Sequence, residues 1–242
     1  MVNGLIVIAT GRHYRDYAKD MLDSAAEFVH FDFDPIVFTD EPEDFLTYEC
    51  FGAPVFRIQS KGYPKETLYR YHTMMGQYQT LAKYEHLFYV DADMRFVAPT
   101  TDEDFHNGLV ATLHPGFVGQ AGTCETRAHS TACCTDNFAY YAGGFQGGRS
   151  LWYLDAVRTM MERVKEDSDN NITAKWHDES HWNRYISDAE HLSPGFVKQL
   201  PPSYCYPEDY DGKYGWTSEQ YPPILVCLDK RKRSNHPLWK GK

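Results

Sequence analysis

No stretch of this 242-residue chain is apolar for long enough to cross a bilayer, and residues 1–10 are too short and too weakly basic for a secretion signal. A cytoplasmic location is therefore expected. The six cysteines (Cys50, Cys124, Cys133, Cys134, Cys205, Cys227) form no C-x-x-C pair and, the adjacent Cys133 and Cys134 aside, are widely spaced, which argues against a zinc ribbon and against a disulfide framework. Reduced thiols are expected. Basic residues are in deficit, 24 Lys and Arg against 34 Asp and Glu, and a net charge of −10 excludes a nucleic-acid partner, which needs a basic footprint. The acyl-transfer elbow Gly-x-Ser-x-Gly and the glycine-rich phosphate loops are also missing. With no repeats and no linker, residues 1–242 read as a single domain.

The basic deficit is uneven: six of the 24 Lys and Arg fall in residues 230–242, as Lys230, Arg231, Lys232, Arg233, Lys240 and Lys242. Such a run is either a solvated terminus or a ligand-binding tail. Ahead of it, apolar runs alternate with helical periodicity. Residues 4–9, 35–40 and 55–58 read as strands, Tyr17 to Val29 as an amphipathic helix, and Lys65 to Tyr84 as a second helix. This alternation predicts an α/β fold with a mainly parallel sheet. Residues 109–113 read as a short strand and 118–137 as a polar loop of the kind that forms lids. Residues 138–142 read as a strand that the doublets Gly143-Gly144 and Gly147-Gly148 then punctuate, with Ser150 capping a helix and a last strand at 224–228.

The buried-looking strand Leu87-Phe88-Tyr89-Val90 ends in Asp91-Ala92-Asp93. Carboxylates two residues apart on an extended chain face the same way and suit a hard cation, although a strand-end Asp also serves as a turn former. His177 and His181, spaced i, i+4, invite a zinc reading, but Glu179 does not directly follow His177 as the metalloprotease pattern requires, and histidines hydrogen-bonded near a helix start are the ordinary alternative. Asp178 and Glu179 are adjacent, so on a helix they point apart and serve either two separate jobs or the helix N-terminus. The glycine doublets permit close approach to a ligand or simply shape a turn.

Taken in order, Tyr89-Val-Asp-Ala-Asp-Met94, Thr112-Leu-His-Pro-Gly-Phe117, Tyr140-Tyr-Ala-Gly-Gly-Phe-Gln-Gly-Gly148 and Trp176-His-Asp-Glu-Ser-His-Trp-Asn-Arg-Tyr185 resemble the blocks of glycosyltransferase family 6. The resemblance implies a GT-A fold and a retaining transfer of galactose or N-acetylgalactosamine from UDP to a galactoside hydroxyl, assisted by Mn2+ or another divalent cation such as Mg2+. It also implies a nucleotide-binding half (about residues 1–110), an acceptor-binding half (111–228) and a flexible basic tail (229–242) that orders, with the 118–137 loop, over the diphosphate. Asp91 and Asp93 correspond to the metal motif, with Ala92 between them. Ile8, Ala9 and Tyr14 look like the uracil-contacting strand end, Arg70 resembles a basic residue beside the metal motif, and Asp178 corresponds to the acid that holds donor-sugar hydroxyls. Glu179 matches the catalytic glutamate, and His114 and Trp176 match acceptor-contacting positions. The segment Ala142-Gly143-Gly144 corresponds to the stretch lying against carbon 2 of the transferred sugar, where a glycine goes with N-acetylgalactosamine. UDP-N-acetylgalactosamine is thus the expected donor, with UDP-galactose or a non-transferring carbohydrate-binding domain as alternatives.

Overall fold

The computed structural model describes residues 2–50, 52–100, 108–135, 139–210 and 212–232. Its strands are β1 (Asn3–Ala9), β2 (Phe33–Thr39), β3 (Val55–Arg57), β4 (His86–Val90), β5 (Met94–Phe96), β6 (Leu109–Leu113), β7 (Tyr141–Arg149), β8 (Val197–Leu200), β9 (Tyr206–Pro207) and β10 (Leu225–Cys227). The helices are α1 (Arg12–Phe28), α2 (Leu46–Cys50), α3 (Lys65–Leu68), α4 (Arg70–Met75), α5 (Tyr78–Leu81), α6 (Ser150–Asp169) and α7 (His177–Leu192). Seven strands form one sheet in the order β3-β2-β1-β4-β7-β6-β8, and β5-β10-β9 form a second. In the large sheet β7 runs against its neighbours β4 and β6, while the other pairings are parallel, so the mainly parallel α/β fold is as expected.

Both faces of the sheet are covered, which is why its central strands are apolar runs. Strand alternation divides them. Ile6, Leu87 and Tyr89 point to a cluster with Tyr153, Val157 and Trp182 of α6 and α7, whereas Leu5, Val7, Phe88 and Val90 point to a cluster with Met21, Leu22 and Ala25 of α1. Asp91 and Asp93 sit where the chain leaves β4 for β5, at the carboxyl edge of the sheet. Two backbone bonds fix them there: Asp91 N–H donates to Gly144 O at 2.9 Å, and Leu228 N–H donates to Asp93 O at 2.9 Å.

Three local expectations are corrected. The helix expected from Lys65 to Tyr84 is broken into α3, α4 and α5. The first break, at Tyr69, accompanies a hydroxyl bond from Tyr69 to Ser168 of α6, and the second falls at Gly76-Gln77, where glycine weakens the helix. The glycine doublets do not interrupt a strand; they are β7, which starts at Tyr141 and runs through all four glycines, while Phe138 lies outside the described residues. Close packing demands this: a Cβ on Gly147 would stand 2.3 Å from Leu87 O, and one on Gly148, where φ is +138, would stand 2.3 Å from Gly108 O. Ser150 is the first helical residue rather than the cap of α6; its N–H donates to Glu85 O, and its hydroxyl has no partner.

Candidate active site

A cavity of about 260 Å3 opens beside Asp91 and Asp93. Of the residues expected to hold a donor, Ile8, Tyr14, Arg70, Asp91, Ala92 and Asp93 line it. Ala9 does not, being fully buried in the core, and Thr10 takes the rim position instead. Thr10, Glu66 and Tyr89 are lining residues for which the sequence suggests no role, and Lys230 of the basic tail lines the cavity as well.

Arg70 is the connecting piece. Almost fully buried, its guanidinium lies over the Tyr89 ring at 4.4 Å, reaches Asp91 Oδ1 at 3.2 Å, donates to Gly143 O at 3.0 Å, and stands 3.2 Å from Asp178 Oδ2. A break at Tyr69 and a pair of charges therefore bring the β4 end, β7 and the first turn of α7 to one point. Tyr89 adds a hydroxyl bond to Asp91 Oδ1 at 2.8 Å. Asp178 is held on the other side by its backbone, whose carbonyl accepts from Tyr71 at 3.2 Å. Burial pushes its carboxyl up to about 7, with Arg70 pulling the other way.

Glu179, the next residue, brings its own carboxylate to the Gly143 peptide. Tyr140 donates its hydroxyl to Glu179 Oε1 at 2.7 Å, and the Gly143 N–H donates to Oε2 at 2.9 Å. Burial raises this carboxyl's pKa, and the two donors restrain the rise. Gly143 lets both acids close in, for a Cβ there would stand 3.1 Å from Asp178 Oδ2, so that the carboxylate would have to give by a few tenths of an ångström, and 3.7 Å from Glu179 Oε2. Asn183 locks α7 to β7, accepting from Tyr141 N–H and donating to Tyr141 O and Glu179 O. His114 packs edge-on to Tyr140 at 5.6 Å, and burial lowers its pKa to about 4. Trp176 remains 46% exposed while its indole N–H is tied to Thr123, so a flat aromatic face is presented next to Glu179.

The basic tail enters the cavity at its described start. Lys230 Nζ stands 2.5 Å from Asp93 Oδ2 and 3.3 Å from the Tyr14 hydroxyl; Arg233, Lys240 and Lys242 lie outside the described residues. Burial, followed by the charge of Asp91, raises the Asp93 pKa, and the ammonium offsets this in part. Asp91, paired with Arg70, and Asp93, paired with Lys230, each offer the hard oxygen donors that a divalent metal ion takes. Among the described residues, no three His, Cys, Asp or Glu side chains converge on one point, so Asp91 and Asp93 are a two-residue set and His177 and His181 have no third ligand beside them. The described part of the 118–137 loop is not laid over the aspartates. It is pinned to α6 and to the entry of α7 through Glu125, which accepts from Lys175 N–H, and Asp167, which accepts from Ser130 and Thr131.

His181 is instead a core histidine, fully buried, with neither ring nitrogen hydrogen-bonded and Asp167 3.8 Å away. Burial lowers its pKa from 6.5 to about 4. Above 6.5 both folded and unfolded forms are neutral; as pH falls, the unfolded chain takes the proton first, so stability is lost between about 6.5 and 4. Denaturation at pH 5 against pH 7 should show a loss of roughly 2 kcal/mol from this residue. An equal loss in a His181→Gln variant would show that the proton is taken elsewhere.

A mostly parallel sheet carrying paired acids at its carboxyl edge, with helices on both faces, is the layout of a GT-A glycosyltransferase. The model of glycosyltransferase family 6 matches residues 1–218, and the chain belongs to that family. It is 31% identical over 231 residues to human globoside α-1,3-N-acetylgalactosaminyltransferase 1, covering 83% of this chain and 63% of the human one. To rat histo-blood group ABO system transferase 1 it is 31% identical over 175 residues, 66% of this chain and 50% of that one. The chain thus spans between a half and two thirds of these mammalian relatives. To the O-antigen biosynthesis glycosyltransferase WbnI of Escherichia coli it is 24% identical over 241 residues, 97% of each chain. Among the described residues no helix is long and apolar enough to cross a membrane.

Proposed function

We propose that this glycosyltransferase moves N-acetylgalactosamine from UDP to the 3-hydroxyl of a galactoside in α-1,3 linkage, with retention and with a divalent cation, Mn2+ foremost. The carrying observation is the Arg70 junction, which ties Asp91 to Asp178 and to Gly143, whose N–H in turn holds Glu179. Asp91 and Asp93 would hold the cation, which when bound offsets the charge that develops on the departing diphosphate. Asp178 orients the donor-sugar hydroxyls. Glu179, aimed by Tyr140 and Gly143, acts on the face of the anomeric carbon opposite UDP, which gives retention. His114 and the exposed Trp176 face receive the acceptor. Incubation with radiolabelled UDP-sugars and a panel of galactosides tests the reading directly: label should pass to a galactoside from UDP-N-acetylgalactosamine. Donor binding without transfer would make the chain a carbohydrate-binding domain instead.

The choice of donor rests on Gly144. An acetamide is far bulkier than a hydroxyl, and Gly144 offers no Cβ to meet it. A Cβ here would stand 3.1 Å from Met94 Sδ and 3.2 Å from Asp91 Oδ2, so alanine would press on the aspartate beside the donor cavity and on the Met94 side chain behind it. Gly144→Ala should lower the preference for N-acetylgalactosamine over galactose by about ten- to a hundredfold in kcat/KM. A wild-type enzyme faster with UDP-galactose at equal concentration would overturn the assignment.

A further inference from the structure

Glu66 has no part in the reaction as proposed, yet its carboxylate is built into the donor cavity. One oxygen is saturated: Oε1 accepts from Thr10 Oγ1 at 2.8 Å, Ser60 Oγ at 2.8 Å and Lys61 N–H at 2.6 Å. The other, Oε2, is shielded from solvent and has no hydrogen-bond partner. Gly62 N–H lies near the carboxylate without making a bond of normal geometry to Oε2. Although burial works the other way, these donors lower the pKa, so the group is an anion at neutral pH.

An ionised, buried oxygen without a donor is costly and is usually a place where a ligand supplies one. Its location says which part of the ligand. Thr10 follows β1 and Ser60 follows β3, whereas the phosphate-facing Asp91, Asp93 and Lys230 gather at the end of β4. Sheet order places β1 between β2 and β4, so Glu66 stands on the side of the cavity away from the diphosphate, where a nucleoside would lie.

We propose that Glu66 reads the nucleobase, its Oε2 accepting the N3–H of uracil. The inference rests on the cavity being the donor site. Uracil carries a proton on N3, whereas cytosine presents a lone pair there, which a carboxylate repels. The same anion that completes a uridine nucleotide's hydrogen bonds therefore rejects a cytidine nucleotide.

Calorimetric titration of the whole chain, in the presence of Mn2+, with UDP, CDP, 3-methyl-UDP and 2′-deoxy-UDP tests this without altering the protein. UDP and 2′-deoxy-UDP should bind alike, while CDP and 3-methyl-UDP should bind at least tenfold more weakly. In Glu66→Gln, whose carboxamide can donate to cytosine N3, UDP should weaken and CDP should come within a few-fold of it. UDP bound no better than CDP and 3-methyl-UDP overturns the role of Glu66 alone, as does a loss confined to 2′-deoxy-UDP, which would mean that the ribose is read. No binding of any of the four overturns the donor-site reading along with it.

Discussion

Glu179→Gln should reduce turnover by about a thousandfold or more while the affinity for UDP-sugar stays within a few-fold of wild type. The structural reason is that both carboxylate oxygens are engaged as acceptors, one by the Tyr140 hydroxyl and one by the Gly143 N–H. A carboxamide offers one acceptor oxygen and one NH2 group, so one of these bonds must be lost or turned away, and the negative charge vanishes from beside the anomeric carbon. Tyr140→Phe is the companion experiment. It removes one of the two donors that restrain the burial-driven rise of the Glu179 pKa, so the acidic limb of the kcat profile should move to higher pH. Steady-state kinetics across pH separates the two: the glutamine variant loses kcat at every pH, the phenylalanine variant chiefly at low pH. A glutamine variant with wild-type kcat would remove Glu179 from the mechanism.

Asp93→Asn should abolish most of the metal-dependent transfer, by a factor of at least a hundred, with little change in the melting temperature. Asp93 is buried and its charge is disfavoured both by burial and by Asp91, so a neutral isostere of the same shape relieves repulsion in the folded protein. What disappears is the second anionic ligand. Lys230 must also leave Asp93 for a metal ion to take its place, and a bound diphosphate would offer it another anion. Electron paramagnetic resonance of added Mn2+ should therefore show tighter binding with UDP present than without it, and markedly weaker binding in Asp93→Asn. Full activity of the wild type in EDTA would count against both expectations.

How much of this was readable beforehand depends on the range of the interaction. The strand before Asp91 was legible because four apolar residues between His86 and Asp91 leave few other readings, and the order of alternating strands and helices then gave the sheet. The Trp176–Tyr185 block was legible as a unit because its residues act together within one helix start. β7 was misread because glycine signals a turn in isolation, and only the carbonyls of Leu87 and Gly108, on neighbouring strands, make bareness a packing requirement. The first break of the second helix likewise goes with a bond to Ser168, far along the chain. Glu66 meets Thr10 across 56 residues and Lys230 meets Tyr14 across 216, distances over which no local pattern carries a signal.

The Arg70 guanidinium touches Asp91 on one side and Gly143 and Asp178 on the other, and is packed too tightly to serve one side without the other noticing. Its consequence is thermodynamic linkage. A diphosphate that draws charge away from Asp91 changes how firmly Arg70 holds Asp178 and the Gly143 peptide, and with them the face on which Glu179 waits for the acceptor. Whatever factor a nucleotide sugar applies to the affinity for the glycan acceptor, the acceptor must return to the nucleotide sugar.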